Sequence, residues 1–495
     1  EKNRKTVLTG SILAIVICGG LLAWMYSFKN IKPDHKVTAG VIGFLAVYLI
    51  LFAVGTSVKK MYRIFPAAVL LVLICELFVL DYPSLWHRES PTRNQVATEY
   101  YNDGTKEAVA MLKEQDDSVY RIEKSYTSAS ENDGMSQSYN GLSVYMSTNP
   151  ASLVAYHKMY GPETLSGNFV DFNMDDYIRS SLLGTKYLIT GTGYHAPQKI
   201  YTSVGEAGGR SVFENQYALP FGYLYDKEWN QEEVKEMSGL DKTLASLSGF
   251  YYTDAEETSS YQKADLPEQT DLSLLDYADT ATDCTMEKGS EGITVSNLGA
   301  DPNVVFPGVA SCFADNDKLY GLSLTVDAPD ETEMAVYYQT EGDEGFSAEK
   351  VYTFKVTEDN RTWEHLVPGG ITELRVDVSS PVESAVINNF ELKSCDITES
   401  GYTALKESGV DEVTFSDSTY QAQVTNDASE NKMLCVPLFY QKGWTAQIDG
   451  EDAGVYNINE GMCGVEVPSG THEIVLKYET PYKNYGVGMT IIGII

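Results

Sequence analysis

Two long stretches without a single charged residue, 6–28 and 37–58, constrain this chain more than anything else in it. Each exceeds the ~20 residues that carry a helix across a hydrocarbon core. In lipid the backbone must satisfy its own polar groups, so such a stretch is read as a spanning helix. A third stretch, 64–80, contains Pro66 and Glu76 and is near the lower length limit for a span. Trp24, Tyr26, Tyr82 and Trp86 sit at the ends, as an aromatic belt would. Residues 485–495 are apolar and cover about 16 Å as a helix, half a bilayer core, so they read as the start of a further span. The chain opens on Glu1 without an initiator Met, and its first apolar stretch is too long for a signal-peptide core. The expectation is a true span in a piece of a larger multi-span protein.

Charge divides the chain in the same place. Residues 1–81 hold nine Lys/Arg and four Asp/Glu, a net of +5, which leaves −39 of the total −34 for the remainder. So acidic a remainder disfavours nucleic acid as a partner, and docking on anionic lipid. Lys2, Arg4 and Lys5 precede the first stretch, and Lys59, Lys60 and Arg63 follow the second. Placing both clusters in the cytoplasm puts the large acidic part outside, although Lys29, Lys32 and Lys36 in the opposing loop weaken the contrast.

The expected architecture is a multi-domain membrane protein: transmembrane helices, an extracytoplasmic α/β domain and two antiparallel β-sandwich domains. Residues 1–82 would supply three spans. Residues 83–260 would form the α/β domain, with a helix at Thr105–Gln115 and strands near 118–124, 182–190 and 217–225. Residues 261–280 read as an acidic linker. A jelly-roll-like sandwich is expected over 281–400, with strands near 322–326, 333–339, 351–356, 373–378 and 385–392. A smaller one is expected over 401–480, with strands near 433–440, 444–448, 464–467 and 472–478 and turns at Gly450 and Gly470.

Familiar catalytic signatures are missing. The six histidines make no HExxH pair, and there is no GxSxG, Walker loop, GxGxxG or CxxC. No metal site is predicted within the chain. Cys284 with Cys395, and Cys435 with Cys463, could form disulfides or remain buried thiols. Glu76 is the one acid inside a predicted span, either a functional carboxylate or one hydrogen-bonded to a neighbouring helix. The richest polar segment is 131–150, ENDGMSQSYNGLSVYMSTNP. Its Asn, Asp and Tyr side chains can hydrogen-bond a sugar, and a tyrosine can stack on a pyranose face. Asn132, Asp133, Tyr139, Asn140 and Tyr145 are therefore the candidate substrate-binding residues, against the plainer reading of a surface loop.

Four stretches carry a resemblance. Near the C-terminus, Pro437, Tyr440, Gly443, Trp444, Asp449 and Gly450, then Pro468, Gly470, His472 and Tyr478, match "PYxxGWxxxxDG" and "PxGxHxIxLxY". Residues 132–147 resemble "NDxxxxxYNGLSxYSS", 181–190 resemble "SLLGVKYxIS", and 213–226 resemble "YENxxALPLGFVYD". These are patterns of the YfhO-type bacterial membrane proteins, and the resemblance runs from the third stretch to the end, weakest over 281–400. It implies a multi-span transferase in the bacterial cell membrane that moves a sugar from a polyprenyl phosphate to a cell-envelope glycopolymer such as lipoteichoic acid. The catalytic carboxylate, and any divalent metal, would then lie in a first external loop outside this sequence. The alternative is a non-catalytic, membrane-anchored glycan-binding or envelope-assembly protein.

Overall fold

The computed structural model describes residues 35–58, 64–86, 92–129, 132–160, 169–170, 177–191, 196–197, 199–254, 261–329, 331–358, 360–378, 383–410, 412–416 and 418–494, with scattered positions between 9 and 24. The stretch 6–28 therefore lies largely outside the described residues, as do its flanking Lys2, Arg4 and Lys5, the cluster Lys59, Lys60 and Arg63, and Glu131. The chain divides into two compact units, Glu1–Gln95 and Val96–Ile495.

In the first unit, helices His35–Ser57 and Phe65–Trp86 pack together. His35–Gly55 is long and apolar enough to cross a membrane; Phe65–Leu80 is apolar but shorter. Pro66 does not interrupt its helix. It stands in the first turn, where a missing N–H leaves no hydrogen bond unmade. Gly40 lies against Leu80 and Gly55 against the Phe65 ring, so small residues let the helices approach. The Tyr48 hydroxyl donates to Glu76 Oε2 at 2.7 Å across this pair. Glu76 thus has a partner on the neighbouring helix.

The second unit begins with a four-stranded sheet in the order Arg121–Lys124, Thr185–Thr190, Arg210–Asn215, Tyr201–Ala207. The first pair is parallel and the others antiparallel. Helix Thr105–Gln115 lies over it, burying Ala108, Val109 and Leu112 on Ile122, Tyr187, Ile189 and Val212. That spacing, i, i+1 and i+4, is one face of a helix. Gly104 precedes the helix at φ +92°, and a methyl there would strike the Gly208 carbonyl. The two backbones cross too closely for any side chain.

Two antiparallel sheets then stack. One orders Thr280–Thr282, Asn303–Pro307, Ile371–Val378, Thr332–Thr340 and Val351–Val356; the other is built on the long strand Ser384–Asp396 beside Lys318–Asp327. Alternating residues such as Val336, Leu374, Val376 and Phe390 fill the space between them. A second sandwich follows, with Thr419–Asn426, Gly470–Tyr478 and Trp444–Ile448 facing Lys432–Phe439 and Met462–Val467.

Two local readings need correction, and the choice left open for the cysteines resolves to thiols. Of the 217–225 strand only Tyr223–Tyr225 is extended, and it pairs with Met433–Cys435 in the C-terminal sandwich rather than in the α/β sheet. Pro220 and the positive φ of Gly222 turn the chain away first. Residues 261–280 are not a free linker: Gln262–Lys263 pairs with Lys227–Glu228, and Thr270–Ser273 pairs with 391–394 of the central sandwich. The cysteines form no disulfide; all seven are thiols, with Cys395, Cys435 and Cys463 buried. Burial pushes the Cys395 and Cys435 thiols up to about 12, which keeps them protonated.

Candidate functional site

The polar segment 132–147 folds against the open edge of the four-stranded sheet, beside Arg121–Lys124. Asp133 opens a short helix, Asp133–Gln137, and only 3 % of it is exposed. Its Oδ2 accepts from Lys124 Nζ at 2.7 Å and from the Ser128 amide at 2.6 Å, while Oδ1 accepts from the Ala129 amide at 3.2 Å. Lys124 also donates to Ser128 and Gln137. Burial lowers the Lys124 ammonium against the opposing pull of Asp133. The network continues through Asp103, which accepts from Thr105, Ser128 and Gln137 and is paired with Arg210 at 3.2 Å. Burial would raise the Asp103 carboxyl, but these donors hold it below its ordinary value. Buried charges persist only when fully bonded, as these are.

Asn132 is also occupied. Its amide donates to the Tyr145 carbonyl at 2.8 Å and accepts from the Tyr145 amide at 3.1 Å. Asn132 and Asp133 thus pin both ends of the loop. The residues presented at the surface are Tyr139, Asn140 and Tyr145. Tyr139 is half-buried, Asn140 is exposed, and Tyr145 is 55 % exposed. A methyl on Gly134 or Gly141 would stand 3.4 or 3.0 Å from Cε2 of Tyr139, so these two glycines seat the ring. Burial and nearby carboxylates raise the Tyr139 phenol well above its usual value, so it is a neutral donor.

Two cavities flank Tyr139 and Asn140, sharing Gly134 and Met135 as well. One, about 410 Å³, is bordered by Lys113, Asp116, Asp117, Ser118 and Tyr120. The other, about 320 Å³, is bordered by Val144, Met146, Phe221, Phe415 and Leu438, with Arg121 and Asn132 at its polar side. Met135 is 77 % exposed and Met146 40 %. The Arg121 guanidinium donates to the Leu183 carbonyl and lies 5.0 Å over the Phe221 ring. Burial lowers it to about 10, against Glu123. The result is a groove with a polar lobe, an apolar lobe and the Tyr139–Asn140 divide between them. Phe221, Phe415 and Leu438 escape a sequence reading because they come from 80 to 300 residues away, through the strand exchange described above.

Glu76 is in the first unit, on Phe65–Trp86, bonded to Tyr48. Among the described residues no three His, Cys, Asp or Glu side chains gather as a metal site.

A curated Bacillus subtilis (strain 168) protein, "Uncharacterized protein YfhO", is 21 % identical to this chain, across all of this chain and 56 % of its own length. The chain therefore spans little more than half of that relative. Among solved structures, the C-terminal CBM6 of LamC, a marine laminarinase from Zobellia galactanivorans, is 13 % identical over 26 % of this chain and all of its own, with a TM-score of 0.17. The low-affinity xylan-binding module CBM86 from Roseburia intestinalis is 8 % identical over 27 % of this chain and 99 % of its own, at 0.21. The arabinofuranosyltransferase AftD from Mycobacteria is 15 % identical over 33 % of this chain and 13 % of its own, at 0.14. The family model described as bacterial membrane protein YfhO matches residues 1–490, extending the resemblance through the N-terminal helices and the central sandwich. This chain belongs to the YfhO family of bacterial membrane proteins.

Proposed function

We propose that this chain is the membrane-anchored, acceptor-binding part of a transferase that moves a sugar from a polyprenyl phosphate to a cell-envelope glycopolymer such as lipoteichoic acid. In this reading the protein crosses the cell membrane several times and residues 83–484 face outward. The lipid tail of the donor lies in the bilayer, its sugar phosphate stands at the outer interface, and the acceptor arrives from the wall side.

The observation that carries the reading is the groove around Tyr139 and Asn140. Its loop is held by the ion pair of buried Asp133 and by the exposed hydrogen bonds of Asn132 to Tyr145, leaving aromatic and amide groups at the surface. Glycan sites need such groups, placed in advance so that little ordering is left to pay for on binding. Asn132 and Asp133 act here as supports; Tyr139 and Asn140, which line both cavities, would meet the sugar, and Tyr145, which lines neither, would reach only a sugar that extends beyond them. Glu76 would stand in the apolar layer, and no catalytic step is assigned to it.

The test is deletion of the gene and analysis of the sugars on the envelope polymer. Loss of the sugar, restored by the parent gene, is expected. Complementation with Tyr139→Ala or Asn140→Ala should restore about a tenth as much or less at unchanged protein level, the loss of one good hydrogen bond or stacking contact. Unchanged glycosylation in the deletion strain would remove the transferase and leave a non-catalytic glycan-binding or assembly protein.

A further inference from the structure

Arg121 differs from the other buried cations of the second unit. Lys124 and Lys350, with side chains 5 % and 6 % exposed, each hold an aspartate at 2.7 Å. Half-buried Arg210 and Arg375 are paired likewise. Arg121 is only 7 % exposed, yet it has no ion pair among the described residues. Its guanidinium bonds to the Leu183 carbonyl and lies over the Phe221 ring, which supplies no counter-charge. Glu123 is the carboxylate whose field reaches it. That carboxylate accepts instead from the Leu142 amide at 2.9 Å and the Ser143 hydroxyl at 3.4 Å. A guanidinium has five N–H donors, so one carbonyl leaves most of them unused. The nitrogens without a bond are not sealed in the core; each keeps some contact with solvent. Arg121 and Phe221 both line the apolar lobe of the groove, and solvent reaches the guanidinium there.

A charge so far from water is costly unless it is paired and bonded, and a bound anion supplies both. Among the described residues that line this cavity, Arg121 is the one that carries a charge. Val144, Met146, Phe415 and Leu438 wall the rest, and an apolar wall strengthens the attraction between opposite charges at contact. The neutral Tyr139 phenol borders the same space as a further donor. The acidic surplus of the chain opposes an anion from a distance, but salt screens that field beyond about 10 Å. The planar fork of a guanidinium fits carboxylate and phosphate alike. We infer that Arg121 and the walls of the apolar lobe form a subsite for a phosphate ester, brought by the lipid donor or by the envelope polymer. The choice of phosphate rests on the transferase reading above, whose donor carries that group.

The test uses the full chain in nanodiscs of neutral lipid, by isothermal titration at 50 mM salt. Poly(glycerol phosphate) probes the polymer source and geranyl phosphate the lipid source; maltohexaose and chitohexaose are the neutral probes. At least one phosphate probe should bind, and the one that binds names the source. Arg121→Gln should weaken it tenfold or more, the loss of a charge-assisted pair. That variant also gives up the bond to Leu183, so a second substitution keeps the test independent of folding. Met146 lines the cavity and is 40 % exposed. Met146→Glu places a carboxylate beside the guanidinium and should weaken phosphate binding about tenfold, whereas Met146→Gln should bind as the parent does. Both Met146 variants should unfold at the parent's denaturant concentration. Failure of both phosphate probes to bind, or binding that either Arg121→Gln or Met146→Glu leaves unchanged, would overturn the subsite. A neutral hexasaccharide that still binds, and is lost in Asn140→Ala, would then leave the glycan reading standing. Phosphate binding that responds to both substitutions, with no sugar bound, would keep the subsite and remove the glycan reading.

Discussion

At the scale of single residues, the groove segment contains two kinds of polar side chain that look alike in sequence. Asp133 is buried, and removing it would leave Lys124 charged and uncompensated, with a side chain only 5 % exposed. Asp133→Ala should therefore cost about 3–5 kcal/mol in chemical denaturation. Asn140→Ala, at an exposed position with one hydrogen bond to the Tyr120 carbonyl, should cost about 1 kcal/mol. Equal losses would mean that the loop is not held in the way described. A second pair lies in the C-terminal motif, where His472 Nδ1 is 2.7 Å from Asp449 Oδ2. Asp449 raises the imidazole and is itself lowered by it. A raised histidine adds stability that is complete below its unfolded value of about 6.5 and is lost as pH rises through the folded one. NMR titration should place the His472 midpoint above 6.5, and Asp449→Asn should bring it back. Both residues were visible in the sequence as motif positions. Their contact was not, because it joins a turn to a strand 23 residues away.

At the scale of elements, legibility followed locality. Thr105–Gln115, Val351–Val356 and Trp444–Ile448 form where the residue pattern places them, since amphipathic spacing and strand alternation are short-range signals. The exchange of Tyr223–Tyr225 into the C-terminal sandwich was illegible, because a strand's own residues do not say which sheet will take it. These three side chains are nearly fully buried there. Each apolar burial of this kind contributes about 1.5–3 kcal/mol. Residues 401–484 expressed alone should consequently give poorly dispersed amide spectra, and adding a peptide covering 213–228 should sharpen them. A well-dispersed spectrum without the peptide would contradict the exchange. The same limit explains the groove, whose apolar lobe is assembled from Phe221, Phe415 and Leu438.

At the scale of the molecule, Val96–Ile495 is joined by shared cores rather than strung as beads. One apolar cluster includes Leu188 of the first sheet, Leu319 and Leu366 of the central sandwich, and Met433 of the last. Acid should therefore unfold it as a whole. Asp103 and Asp116 both have lowered carboxyls, so their contribution is present above the unfolded value of about 3.9 and is lost as pH falls through the folded ones. The urea midpoint should drop between pH 5 and pH 3, and a flat profile there would contradict this electrostatic account. The acidic surplus of the residues after 81 disfavours their docking on anionic lipid. The apolar helix His35–Gly55 was readable from sequence, while the groove required the fold. The most direct measurement is labelling of Asn140→Cys in intact cells with a membrane-impermeant maleimide, against the parent chain as background. The account predicts modification before lysis. Modification only after lysis would place the groove on the cytoplasmic side, where no envelope glycan could reach it.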